Sequence, residues 1–155
     1  VSPAPLNAEE ELLWRSLLRI VATLPRLLDE DLVRATGVSL SEYVTLMNLS
    51  EAEDREMRLT ELASAAGLSL SRVSRLIEDM RVRGLVTKRR APTDTRGFIA
   101  TLTPAGLERL RDAYPSNLAS ARRRVLDHVA PRSLGRAGQV LTAIADGMDT
   151  LPADA

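Results

Sequence analysis

The chain has 155 residues, with 21 Lys+Arg balanced by 21 Asp+Glu, no cysteine and one histidine. That length withdraws roughly two-thirds of the unfolded surface from water, enough for one core. The missing cysteines exclude thiol chemistry and leave too few ligands for a Cys/His zinc site, so neither metal nor cofactor is expected.

Asn7 with Glu10 three residues on is a capping box, followed by Leu13, Leu17, Ile20, Leu24, Leu28 and Leu32 at helical spacing. A long first helix ending before Gly37 is predicted, kinked or broken at Pro25. Ser39 with Glu42 is a second capping box, opening a helix over 40–49, and the polar stretch 50–55 reads as a loop. Thr60 caps a short helix that Gly67 ends, and Ser69 caps another with Val73, Leu76, Ile77 and Met80 as its buried stripe, stopped by Gly84. The period then changes. Residues 85–90 and 97–102 are β-favouring runs joined by a polar, projecting loop over 91–96. Thr103-Pro104 restarts a helix towards Val129, kinked or interrupted at Pro115. After Pro131, the residues Leu134, Ala137, Leu141, Ile144, Met148 and Leu151 recur every three or four positions, a seam that wants a partner helix.

Two short helices joined by Ala66-Gly67-Leu68-Ser69 and followed by a hairpin make a helix-turn-helix with a wing. Charge is concentrated there: residues 1–54 carry net −6, 55–98 net +5 and 99–155 net +1. Opposite its stripe, the second helix presents Ser71, Arg72, Ser74 and Arg75. Guanidinium groups bond guanine O6 and N7 in a major groove, and serine bonds base edges or phosphate. The plainer alternative is a solvated face in which Arg72 and Arg75 pair with Glu78 and Asp79. On the hairpin, Lys88, Arg89, Arg90 and Arg96 add four cations, and an arginine on a projecting loop suits a narrow minor groove. Asp94 is read as a structural partner that turns the loop or holds Arg96.

The segments Leu62-Ala63, Gly67-Leu68-Ser69, Leu85-Val86, Arg89, Asp94-Thr95-Arg96 and Leu102-Thr103 with Gly106 together resemble the MarR family of bacterial transcription regulators. The resemblance implies a mainly α (α+β) fold in one domain over 1–155. It would hold a winged helix-turn-helix lobe over 40–102, and a helical dimerisation region from 7–36 and 104–151. It further implies a homodimer on a palindromic double-stranded DNA operator, with base contacts near Ser69, Ser71, Arg72, Ser74 and Arg75 and a wing contact at Arg96. Release by a small aromatic or anionic effector is implied too. Trp14, Arg15, Tyr43 and Met47 are candidates to line its pocket, with Trp14 otherwise a core residue.

Two rivals stand beside a DNA-binding repressor. A winged helix used only for protein contacts would need no basic and hydroxyl recognition face. An enzyme finds no phosphate loop, no thiol nucleophile and only His128 as a near-neutral base, itself readable as a packing or surface residue. Arg122-Arg123-Arg124 reads as a solvated face or an anion contact. No apolar run reaches the ~18 residues of a membrane span, and the first residues lack a secretory signal, so a cytoplasmic, nucleoid-associated protein with no membrane partner is expected.

Overall fold

The computed structural model describes residues 4–92 and 94–149, and the side chains of all of these except 94–96 and 149. In chain order the elements are α1 (Ala8–Thr36), α2 (Leu40–Glu51), β1 (Glu56–Arg58), α3 (Leu59–Ala66), α4 (Leu70–Val82), β2 (Val86–Ala91), β3 (Asp94–Leu102), α5 (Pro104–Arg124) and α6 (Leu134–Asp149).

At the start of α1 the Asn7 side chain accepts from the Glu9 and Glu10 amides, and Glu10 accepts from the Asn7 amide at 2.8 Å, the predicted capping box. The helix runs unbroken through Pro25. The carbonyl that proline leaves without a partner belongs to Val21, which is largely exposed, so water can replace the lost bond. Gly37, at φ +71°, closes the helix in the left-handed region. Ser39 caps α2 by accepting from the Glu42 amide at 3.1 Å, but Glu42 does not complete a capping box; its carboxylate turns into the protein.

The 50–55 stretch is not a plain loop. α2 continues to Glu51, and a 3-10 turn at Glu53–Arg55 carries two consecutive positive φ angles, at Asp54 and Arg55. β1 follows at once, unpredicted. It is one of the two outer strands of an antiparallel sheet ordered β1-β3-β2, with Met57 opposite Ala100 and Arg89 opposite Ile99. α3 starts at Leu59, so Thr60 lies inside its first turn rather than capping it, and the Glu61 carboxylate faces the Arg58 amide at 3.4 Å. Gly67 ends α3 at φ +63°, and the Leu68 amide reaches back to the Ala63 carbonyl at 2.9 Å.

Val73, Ile77 and Met80 of α4 are fully buried beside Leu32, Leu46, Leu49, Leu62, Val86 and Ala100. Each large apolar side chain sealed in this core stabilises the fold by about 1.5–3 kcal/mol. β3 begins at Asp94, so the strand takes up part of the expected projecting loop, and the register shifts between Arg90 and Ala91. Thr103 then ties the sheet to α5. Its hydroxyl lies 2.7 Å from the Gly84 carbonyl, 2.9 Å from that of Leu85 and 3.1 Å from the Gly106 amide. A Cβ on Gly106 would collide with the Leu85 carbonyl and stand 2.7 Å from Leu102 Cδ1, so α5 crosses the start of β2 at a distance only glycine allows.

α5 also passes its proline, Pro115, without interruption, but it ends at Arg124, short of the expected Val129, because Val125 leaves helical geometry and a 3-10 turn follows. Near that end, Arg122 is exposed, whereas Arg123, itself 60% exposed, and the half-buried Arg124 each take an anionic partner. With Ser120 the latter two converge on the buried Asp31 of α1 at 2.6–3.0 Å. The Arg124 and then the Ser120 hydrogen bonds hold the Asp31 carboxyl well below the usual carboxylate range, against the opposing effect of burial. His128 is exposed, its ring 3.1 Å from the Arg123 carbonyl.

Leu12, Leu13, Trp14, Leu18 and Val21 of α1 and Leu134, Leu141 and Met148 of α6 are exposed, while Ala137 and Ile144 are half-buried. Leu151 lies outside the described residues.

Candidate nucleic-acid interface

α4 is held at both ends. Ser69 Oγ accepts from the Arg72 amide at 3.3 Å and stands 3.3 Å from Ser71 Oγ, setting two hydroxyls at the leading end. At the trailing end, Arg83 reaches Glu42 of α2 at 2.8 Å, and Arg109 of α5 reaches the same carboxylate at 2.8 Å and the Gly37 carbonyl at 3.2 Å. Burial pushes the Glu42 carboxyl up. The hydrogen bonds from Arg83 and Arg109 more than reverse this, so the group lies below its ordinary range and stays ionised. The helix is therefore oriented by a buried charge on α2 that is reached from the end of α4 and from α5.

The outward face carries Ser69, Ser71, Arg72 and Arg75, all exposed. The competing pairing with Glu78 and Asp79 does not form for Arg72. Glu78 is engaged by Arg81 at 2.6 Å, Asp79 by Arg83 at 2.8 Å, and the Arg72 guanidinium bonds Ser41 Oγ of α2 at 3.3 Å. Ser74 departs from the expected face. It is half-buried towards the hairpin, lining with Leu70, Thr60 and Phe98 a cleft of about 230 Å³.

The hairpin's cations sort by strand alternation. Lys88 Nζ lies 4.4 Å and Arg90 Cζ 5.4 Å from the centroid of the Phe98 ring, while Arg89 pairs with Glu56 of β1 at 2.8 Å. The side chains of Asp94 and Arg96 lie outside the described residues; their backbone opens β3.

Two residues on this surface escaped the sequence reading. Leu70, 49% exposed at the first position of α4, puts an apolar side chain between the serines; the signal was its place on the outer side of the buried stripe. Ser41 became visible only through its partner Arg72, 31 residues away. The four residues expected around an effector differ in burial. Tyr43 is in the core with its hydroxyl pushed up chiefly by burial, Met47 packs partly buried against that core, and Trp14 and Arg15 are exposed on early α1, Arg15 paired with Glu11 at 2.6 Å.

Comparison with known proteins agrees with this arrangement. A profile described as the MarR family matches residues 36–97. The repressor MprA of Escherichia coli strain K12 is 24% identical over 119 residues, covering 70% of this chain and 68% of that protein. Sco3205, a MarR family transcriptional regulator of Streptomyces coelicolor solved in complex with DNA, is 34% identical with a TM-score of 0.82, over 99% of this chain and 95% of that one. AbsC, a MarR family regulator of the same organism, is 34% identical with a TM-score of 0.81, over 96% of this chain and all of that one. With a winged helix-turn-helix built around α3, α4 and the β2–β3 hairpin, and identity sustained across nearly the full length of two such regulators, the chain belongs to the MarR family of transcriptional regulators.

Proposed function

We propose that the protein is a homodimeric DNA-binding repressor. α4 reads base edges in the major groove through Ser71, Arg72 and Arg75, and the hairpin places Lys88, Arg89, Arg90 and Arg96 along flanking phosphate and minor groove. The carrying observation is α4 itself, anchored by Glu42 while its leading end turns hydroxyls and guanidiniums outward.

Dimerisation is supported by the exposed leucines of α1 and the seam of α6, apolar surface at both ends of the chain that a second copy can cover. A two-fold dimer presents two α4 helices about 34 Å apart, matching one turn of duplex and hence a palindromic site. We assign 40–102 to the DNA-binding lobe and 7–36 with 104–151 to the dimerisation region. The reading is of a regulator rather than an enzyme, and places it in the cytoplasm. No helix among the described residues is long and apolar enough to cross a membrane.

Selection of duplexes from a random pool by the purified protein tests this. Enrichment of a palindrome with half-sites one turn apart is expected. Recovery of no sequence above background would refute operator recognition and leave a protein-contact winged helix as the better reading.

A further inference from the structure

Two cations of the hairpin have partners of different kinds. Lys88 rests over the neutral Phe98 ring, which leaves its charge intact, whereas Arg89, on the opposite face of β2, meets a carboxylate. That carboxylate belongs to Glu56 of β1, on the far side of β3, and both of its oxygens are in use. Oε1 accepts from Arg89 at 2.8 Å and Oε2 from the Thr101 hydroxyl of β3 at 3.2 Å. The Thr101 bond fixes the carboxylate's orientation, so holding Arg89 costs less side-chain freedom than an ordinary surface ion pair does. The backbone before Glu56 is specialised too. Asp54 and Arg55 both take left-handed angles, φ +52° and +57°, a conformation that residues other than glycine avoid and that clusters at functional positions. The turn they make brings β1 onto the edge of β3 with Glu56 opposite Thr101.

We infer that Glu56 is a built-in counterion that holds Arg89 back from DNA phosphate and so limits how tightly the protein grips any duplex. The inference rests on the reading that the hairpin lies along the phosphate backbone. A cation contributes to DNA affinity largely by releasing the small ions condensed on a phosphate. The Arg89 side chain is 49% exposed, open to solvent and to a phosphate, but contact requires giving up Glu56 or bringing that carboxylate up against the phosphate. Either way the net gain is small. Phosphate contacts carry no sequence information, so the restraint acts on operator and non-operator DNA alike. It keeps a cation-rich hairpin from lingering on sites that the base contacts do not match.

The test measures binding to a random-sequence duplex and to the selected duplex from about 50 to about 200 mM salt. Glu56→Gln should bind both more tightly, by about 3-fold to 5-fold at the low end. Its log affinity should fall more steeply with log salt by roughly 0.9, the mark of one added phosphate, so that its advantage shrinks roughly 3-fold over the range. A change in packing alone would not steepen the slope. Glu56→Thr, which sets a threonine opposite Thr101 in a favourable cross-strand pair, should behave in the same way and serves should Glu56→Gln fail to melt cooperatively. Glu56→Gln combined with Arg89→Gln should return to wild-type affinity and slope. Glu11→Gln, which removes a paired carboxylate from early α1, should match wild type throughout. Unchanged or weaker binding in both Glu56 variants would overturn the inference, as would a gain that survives removal of Arg89 or is reproduced by Glu11→Gln. Were wild type and variants all to bind no duplex, the DNA reading itself would fall and the inference with it.

Discussion

Replacing Glu42 by Gln preserves its shape but removes the one negative charge that Arg83 and Arg109 share. Glu42 is 5% exposed, whereas the two arginine side chains are 35% and 31% exposed, so the carboxylate is dry and the guanidiniums keep part of their hydration. Two charge-assisted contacts at about 1.5–3 kcal/mol each set an upper bound near ~6 kcal/mol; rehydration of the arginines and the bonds an amide oxygen still accepts remove roughly half of it. The expected loss is about 2–3 kcal/mol near neutral pH, read from urea unfolding at fixed protomer concentration. Because the folded carboxyl lies below its ordinary range, the stability it contributes is present above the unfolded value of about 4.3 and disappears as pH falls through the folded value. The gap between wild type and variant should therefore close in acid. A loss under about 0.5 kcal/mol at neutral pH, or one that persists unchanged in acid, would refute this account of how α4 is held.

On DNA, Arg75→Ala should weaken operator binding by about 1–3 kcal/mol and relax preference at one base pair, measured on operator and scrambled duplex at one salt concentration; equal losses on both would make it a phosphate contact. Arg96→Ala should cost more on operators with A·T-rich flanks, and no dependence on flank composition would remove the minor-groove assignment. Leu70→Ala should lower affinity selectively for sites with thymine in the half-site, through loss of an apolar contact to its methyl group, which uracil substitution in the duplex would mimic. Deleting the residues after Pro131 should give a monomer by sedimentation with weak half-site binding; a truncated protein that stayed dimeric would contradict the role given to α6.

Features decided within a turn or two of chain were legible in the sequence: the Asn7–Glu10 box, the Gly67 stop, the Ser69 cap and the Val73–Ile77–Met80 stripe. What escaped was decided at long range. β1 is three residues, two of them charged, with no strand pattern of its own; it exists because β3 offers an edge some 45 positions later. Glu42 fits a capping box by local rule, yet arginines 41 and 67 positions away bind its carboxylate more strongly than its own helix end would. Pro25 and Pro115 each cost a backbone bond, yet α1 and α5 both continue through them, packed against one another and joined through Asp31. The surface proposed to face DNA was legible to the extent that it follows from helical phase. Ser74 turned inward because the hairpin packs over that flank, which phase alone does not reveal.

The contact at Gly106 has a mechanical consequence. With no room for a single methyl group between α5 and the Leu85 carbonyl, and with the Thr103 hydroxyl lying against the Gly84 and Leu85 carbonyls that lead into β2, the first turn of α5 is welded to the base of the hairpin and travels with it. Asp31 clamps the other end of the same helix to α1. α5 is therefore a beam fixed at both ends. Any tilt of the hairpin relative to α1 must be taken up by flexing of its middle stretch, around Pro115, where one rung of the backbone ladder is already missing.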